Sequence, residues 1–124
     1  MSNEFDWRRE HTPFAKISRF RRMIEGKYSN GTKPEDANVD AVTYATLILE
    51  YYWDNTQPRE MAEEVDVREN QILRWTGLVE LANMGEFGPL KEAFLEESEI
   101  FFRFPGPAKN YAKALSNLAD SIVS

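Results

Sequence analysis

Apolar residues recur in this chain at spacings of three and four, the period of a helix face. Phe14, Ile17, Phe20, Ile24 and Tyr28 make the first such stripe, with Arg19 and Arg22 on roughly the opposite side. Thr12 suits the N-cap of this helix and Pro13 its first turn. Ser29-Asn30-Gly31 ends it, since Asn and Gly accept the left-handed backbone found at helix ends. After a polar link over 33–38, Val39 to Trp53 is apolar on almost every side (Val42, Ala45, Leu47, Ile48, Leu49, Tyr51 and Tyr52 among them). Its β-branched and aromatic content would allow a strand, but so long a run without a turn signal favours a helix, and one apolar all round is normally central. Asp54-Asn55-Thr56 stops it and can cap the next, with Pro58 just inside the new start.

The spacing then predicts two helices, over 58–65 and from 68 to about 84. Gly85 and Gly88-Pro89 punctuate. A further helix is expected from Leu90, although Ile100-Phe101-Phe102-Arg103-Phe104 could instead be a short strand. Pro105-Gly106-Pro107 is a firm break. Ala108, Tyr111, Ala112, Leu115, Leu118, Ala119 and Ile122 then form a regular stripe whose alanines permit close helix approach, either in the core or at a dimer seam. The pattern predicts one all-α domain over 1–124, of five to six helices: an arm over 1–12, a central helix pair over 57–84, and C-terminal helices over 90–122 that pack the core or pair subunits.

Composition narrows the function classes. The chain has 124 residues, 42% hydrophobic and 13% aromatic, enough for one domain with a real core. There is no cysteine, which excludes disulfides, thiolate zinc sites and cysteine nucleophiles. No apolar run approaches the roughly 20 residues of a membrane span. Met1 to Asp6 has neither the basic nor the apolar region of a secretion signal, so a cytoplasmic protein is expected. The net charge of -6 is uneven. Through Lys33 there are eight basic and four acidic residues, a net of +4; the remainder carries seven basic and seventeen acidic, a net of -10. A basic first quarter on an acidic body is either an oriented surface or a solvated helix balancing the rest of the fold.

The central pair carries the most specific pattern, "EMAEEVDVRENQILRW" over 60–75. Met61, Ala62 and Val65 would face inward from a first helix, with Ala62 where a second helix crosses closely. Asp66 falls at the sharp turn, Val67 plugs the gap, and Ile72 and Trp75 point back at Ala62. Over 57–77, about a sixth of the chain, this order of residues resembles the helix-turn-helix DNA-binding superfamily, which includes phage repressors, MerR-like proteins and sigma-factor region-four modules. Two positions depart from the family pattern: Asp66 stands where Gly is usual, and Arg68 where Ser or Thr commonly caps the second helix. The resemblance implies that Arg68, Glu69, Asn70, Gln71 and Arg74, with Leu73, face bases in the major groove. From Thr56 to Thr76, however, three basic residues (Arg59, Arg68, Arg74) meet five acidic ones (Glu60, Glu63, Glu64, Asp66, Glu69), so this unit brings little of the charge that phosphate contacts need. Arg8 and Arg9 on the arm and Arg19, Arg21 and Arg22 on the first helix are the candidate phosphate contacts.

Other constellations point away from catalysis. His11, the only histidine, reads as a surface residue. Glu96, Glu97 and Glu99 lie near no histidine or cysteine, and Glu92 and Glu96 form a like-charge pair of a solvated face, so no metal or other cofactor is expected. There is no phosphate-cradling glycine loop and no nucleophile elbow. Trp7, Tyr51, Tyr52, Trp53 and the Phe101-Phe102-Phe104 cluster could line a ligand pocket or a stacking surface, although at helical spacing such residues are more often core. The phenylalanines crowd more than one helix face, which fits burial of one face by a second subunit. The expectation is a small homodimeric helix-turn-helix regulator of transcription, of plasmid or phage type, bound to double-stranded DNA and not an enzyme. The alternative is a helical module that binds another protein, as adaptor or inhibitor, with the helix-turn-helix as scaffold.

Overall fold

Thr12 opens the first helix as the sequence predicts: its hydroxyl oxygen accepts the amide of Ala15 at 3.1 Å, satisfying one of the donors that a helix start leaves free. The computed structural model describes residues 12–31, 33–53 and 65–123, with α1 over Pro13–Tyr28, α2 over Ala37–Trp53, α3 over Val65–Asn83, α4 over Gly88–Phe102 and α5 over Pro107–Ser121. No strand occurs among the described residues, so the chain has the all-α class that its periodicity predicts. Gly31 closes α1 at φ +78°, where a side chain would be strained. Gly106 takes φ +73° between its two prolines and turns the chain from α4 into α5.

Two boundaries differ from the expected ones. Helix α2 starts at Ala37, inside the expected polar link, and places Asp40 in its first turn, where the helix dipole favours an acid. The helix expected from Leu90 does run through the aromatic segment, to Phe102, rather than giving way to a strand, and the amides of Arg103 and Phe104 then bond the carbonyls of Ile100 and Phe101. The second difference concerns the central pair. The residues expected to form the hinge, Val65-Asp66-Val67, have helical backbone within α3, which runs unbroken over Val65–Asn83. A tight hinge needs a left-handed residue, and no described residue other than glycine has positive φ. Asp66 therefore takes helical backbone, while the expected helix over 58–65 lies outside the described residues up to 64.

The core forms where the five helices meet. Ile24 and Tyr28 of α1, Trp75 of α3, Leu90 and Phe94 of α4, and Leu115 and Leu118 of α5 are its largest fully buried side chains. Each contributes about 1.5–3 kcal/mol by leaving water. The alanine-rich stripe of α5, expected at a core or a seam, is core: Ala112, Ala114 and Ala119 are buried and let α4, α1 and α2 approach. Helix α2 touches α1, α3 and α5, as a helix apolar all round should, but its fully buried residues (Ala37, Asp40, Ala41, Tyr44 and Ala45) all lie in its first half, on one side, while Val39 is exposed. The chain end is clasped from α2, where the Asn38 side chain donates to the carbonyl of Val123 at 2.7 Å and accepts its amide at 2.8 Å. No described helix is long and apolar enough to cross a membrane.

Candidate functional site

The side chains expected to read bases are largely engaged by the protein itself. Arg74 places one guanidinium nitrogen 3.0 Å from Glu96 and the other 3.5 Å from Glu97, both on α4. Arg68 donates from Nε to the carbonyl of Tyr52 at 2.6 Å. Gln71 accepts the indole N–H of Trp75 at 3.2 Å. Glu69 and Asn70 are exposed, and so is Leu73. Leu73 has Glu69 four residues before it and Glu80 seven after it, spacings that put all three on one side of α3. This outward face is apolar and acidic.

The expected phosphate contacts divide. Arg8 and Arg9 lie outside the described residues. Arg19 and Arg22 are exposed on α1, with Lys16 on the same side. Arg21 does not join them. Its guanidinium lies 4.0 Å from the ring centroid of Tyr111 and 5.6 Å from that of Phe101, inside the bundle. The reason is legible in retrospect. Arg21 follows Phe14 by seven residues and Ile17 by four, so it belongs to the inward stripe of α1, while Arg19 and Arg22 do not.

Arg21 enters a half-enclosed cavity of about 270 Å³ to which all five helices contribute. Helix α1 lends Phe14, Ile17 and Ser18, and α2 lends Tyr44, Ile48, Tyr51 and Tyr52. Trp75 comes from α3, Phe94, Glu97 and Phe101 from α4, and Tyr111 and Leu115 from α5. The rings form a continuous series: Phe20 stacks on Tyr44 at 5.7 Å, Tyr44 on Phe94 at 5.8 Å, and Phe94 meets Trp75 at 5.9 Å. Phe101 meets Tyr111 edge-on at 5.0 Å, and the hydroxyls of Tyr44 and Tyr111 hydrogen-bond to each other. Of the aromatic residues considered for a pocket, Tyr51, Tyr52 and Phe101 line it, Trp53, Phe102 and Phe104 are exposed, and Trp7 lies outside the described residues.

Burial sets the chemistry of this cavity. It holds Tyr44 well above the ordinary tyrosine range and pushes Tyr111 up to about 12, so both hydroxyls are neutral hydrogen-bonding groups at physiological pH. Burial also raises Glu97 above the usual glutamate value, against the lowering effect of Arg74. In the sequence Glu97 stands in the acid cluster with Glu96 and Glu99, for which no metal role is expected. Its position three residues after Phe94 and four before Phe101, the stripe that faces the core, was the available signal. No group of three or more metal-ligating side chains gathers among the described residues. No family model, curated protein or solved structure matches the chain.

Proposed function

We propose that this chain is a non-catalytic helical recognition module that binds another protein through the outward face of α3. One observation carries the reading: Leu73 is 72% exposed on a face with Glu69 and Glu80, while Arg68 and Arg74 are bound back into the fold. A large exposed apolar side chain among carboxylates suits a partner that presents an apolar residue ringed by Lys or Arg. The same carboxylates repel phosphate, and the net charge of -6 acts in the same direction. No catalytic residue, metal or cofactor belongs to this reading.

A leucine- and lysine-rich amphipathic peptide and a mixed-sequence DNA duplex, each titrated into the full chain by fluorescence anisotropy, test it. Peptide binding that Leu73→Asp abolishes, without loss of thermal stability, is the expected result. Duplex binding that weakens both with added salt and with Arg74→Ala would overturn it.

A second reading, the helix-turn-helix DNA-binding regulator, draws on the exposed Lys16, Arg19 and Arg22 along one side of α1. In it α1 meets phosphates, and Arg22→Ala weakens binding to all duplexes alike and lowers the salt dependence. The apolar stripe of α5 is spent in the chain's own core, so homodimer pairing falls in either reading to the half-exposed Ile100, Phe102 and Phe104 at the α4–α5 corner. Sedimentation of Phe102→Ser against the unsubstituted chain tests that seam.

A further inference from the structure

The cavity holds a cation, Arg21, that no carboxylate of the described residues pairs. A guanidinium withdrawn from the surface is normally paired with a carboxylate or hydrogen-bonded to carbonyls. Among the described residues, no carboxylate lies within ion-pair distance of Arg21 and no acceptor bonds its N–H groups; only the faces of Tyr111 and Phe101 attract its charge. Glu97, the carboxylate on the same cavity wall, is taken by Arg74 instead. No fully buried polar atom among the described residues lacks a partner, so the unpaired nitrogens of Arg21 open onto the cavity.

A planar guanidinium presents two parallel N–H groups that match a carboxylate bidentately. Around it stand ring faces and edges from Tyr44, Tyr52, Trp75 and Phe94, which favour a flat aromatic group in offset or edge-on contact. Ser18, one helical turn before Arg21 on α1, also lines the cavity. The volume limits the ligand further. At about 270 Å³ the cavity is at the small end of ligand pockets, which suits a single-ring acid.

We propose that this cavity binds a small aromatic carboxylate, whose carboxylate is gripped by Arg21 and whose ring lies among Tyr44, Tyr52, Trp75 and Phe94. The inference is independent of the α3 docking face: either site can fail without the other. Titration calorimetry on the full chain with benzoate, benzamide and acetate tests it. Benzoate binds, while benzamide, which lacks the charge, and acetate, which lacks the ring, bind about tenfold more weakly or not at all. Arg21→Met weakens benzoate about tenfold or more. Ser18→Leu, which fills the cavity and leaves Arg21 in place, abolishes binding. Equal affinity for benzoate and benzamide, no heat from benzoate at millimolar concentration, or full binding to Ser18→Leu would each overturn the proposal. The ligand comparison needs no substitution, so it decides even where a variant fails to fold.

Discussion

Arg74 of α3 and Glu97 of α4 meet at 3.5 Å across the contact between their helices, and Glu96 takes the other guanidinium nitrogen at 3.0 Å. The two carboxylates are unequal: the Glu97 side chain is 29% exposed and that of Glu96 is 68% exposed. An exposed pair is worth roughly 0–1 kcal/mol after screening and side-chain ordering. Truncating Arg74 leaves the withdrawn Glu97 without its partner, at about 1–2 kcal/mol. Arg74→Ala should therefore lower the unfolding free energy in urea by about 1–2 kcal/mol with an unchanged denaturant slope, and Glu96→Ala by less than about 0.5 kcal/mol. Combining Arg74→Ala with Glu97→Gln should recover part of the loss, because the stranded charge is gone. A neutral Arg74→Ala would mean that this side chain is available to bases after all.

Glu97 also sets a pH dependence. Burial raises its pKa in the fold, so the folded chain holds this proton more tightly than the unfolded chain does. Its contribution is fully present below the usual glutamate value of 4.5 and is lost as pH rises through the raised value. Asp36 acts oppositely: a hydrogen bond from Lys27 lowers it, so its contribution is present above 3.8 and lost as pH falls. Stability curves from pH 4 to 7 should be flatter for Glu97→Gln than for the unsubstituted chain, with no change in the acid limb. Carboxyl-carbon NMR should show Glu97 titrating above 4.5.

The stripes of α1 and α5 were legible because a helix with one buried face writes its period into the sequence. Pro13, Gly31 and Pro105-Gly106-Pro107 mark its ends by backbone chemistry alone. The direction of Arg21 is hidden in the sequence because its charge matches that of its neighbours while its helical phase does not. Its neighbours Arg19 and Arg22 made a basic cluster, yet only Arg21 shares the face of Phe14 and Ile17. Glu97 was hidden the same way, inside an acidic run whose other members are exposed. The hinge at Asp66 illustrates a different limit. A packing pattern of apolar residues constrains which faces meet, but a turn needs a backbone that leaves the helix, and Asp66 keeps helical backbone. The Arg74–Glu97 and Arg68–Tyr52 contacts join residues distant along the chain, and no local pattern encodes them.

The three buried tyrosines should resist alkali. Burial raises Tyr28, Tyr44 and Tyr111 above the ordinary value of 10.0, the last to about 12. Such a proton is held more tightly folded than unfolded, so the stabilisation is complete below pH 10 and is lost as pH climbs through the raised values. Ultraviolet titration of the phenolate band should show these three ionising only with unfolding, seen as simultaneous loss of helical circular dichroism. Tyr111→Phe should take one residue out of that cooperative step and leave the Tyr44 hydroxyl without its partner, at about 1 kcal/mol near neutral pH.

Asp40 ties α1 to α2 more firmly than its neighbour Asp36 does, although Lys27 contacts both, at 2.8 and 2.6 Å. Asp40 is 8% exposed and accepts the hydroxyl of the fully buried Tyr28 at 2.7 Å, whereas Asp36 lies in solvent. Replacing Asp40 by alanine strands the Tyr28 hydroxyl and should cost about 2–3 kcal/mol. Asp40→Asn keeps an acceptor for Tyr28 and loses only the ion pair with the part-exposed Lys27, at about 1 kcal/mol. Asp36→Ala should lower stability by less than either Asp40 variant does, since its pair with Lys27 lies in solvent. Urea denaturation of the three variants separates the contributions: equal losses for Asp40→Ala and Asp40→Asn would mean that charge, rather than the buried hydroxyl, makes Asp40 important.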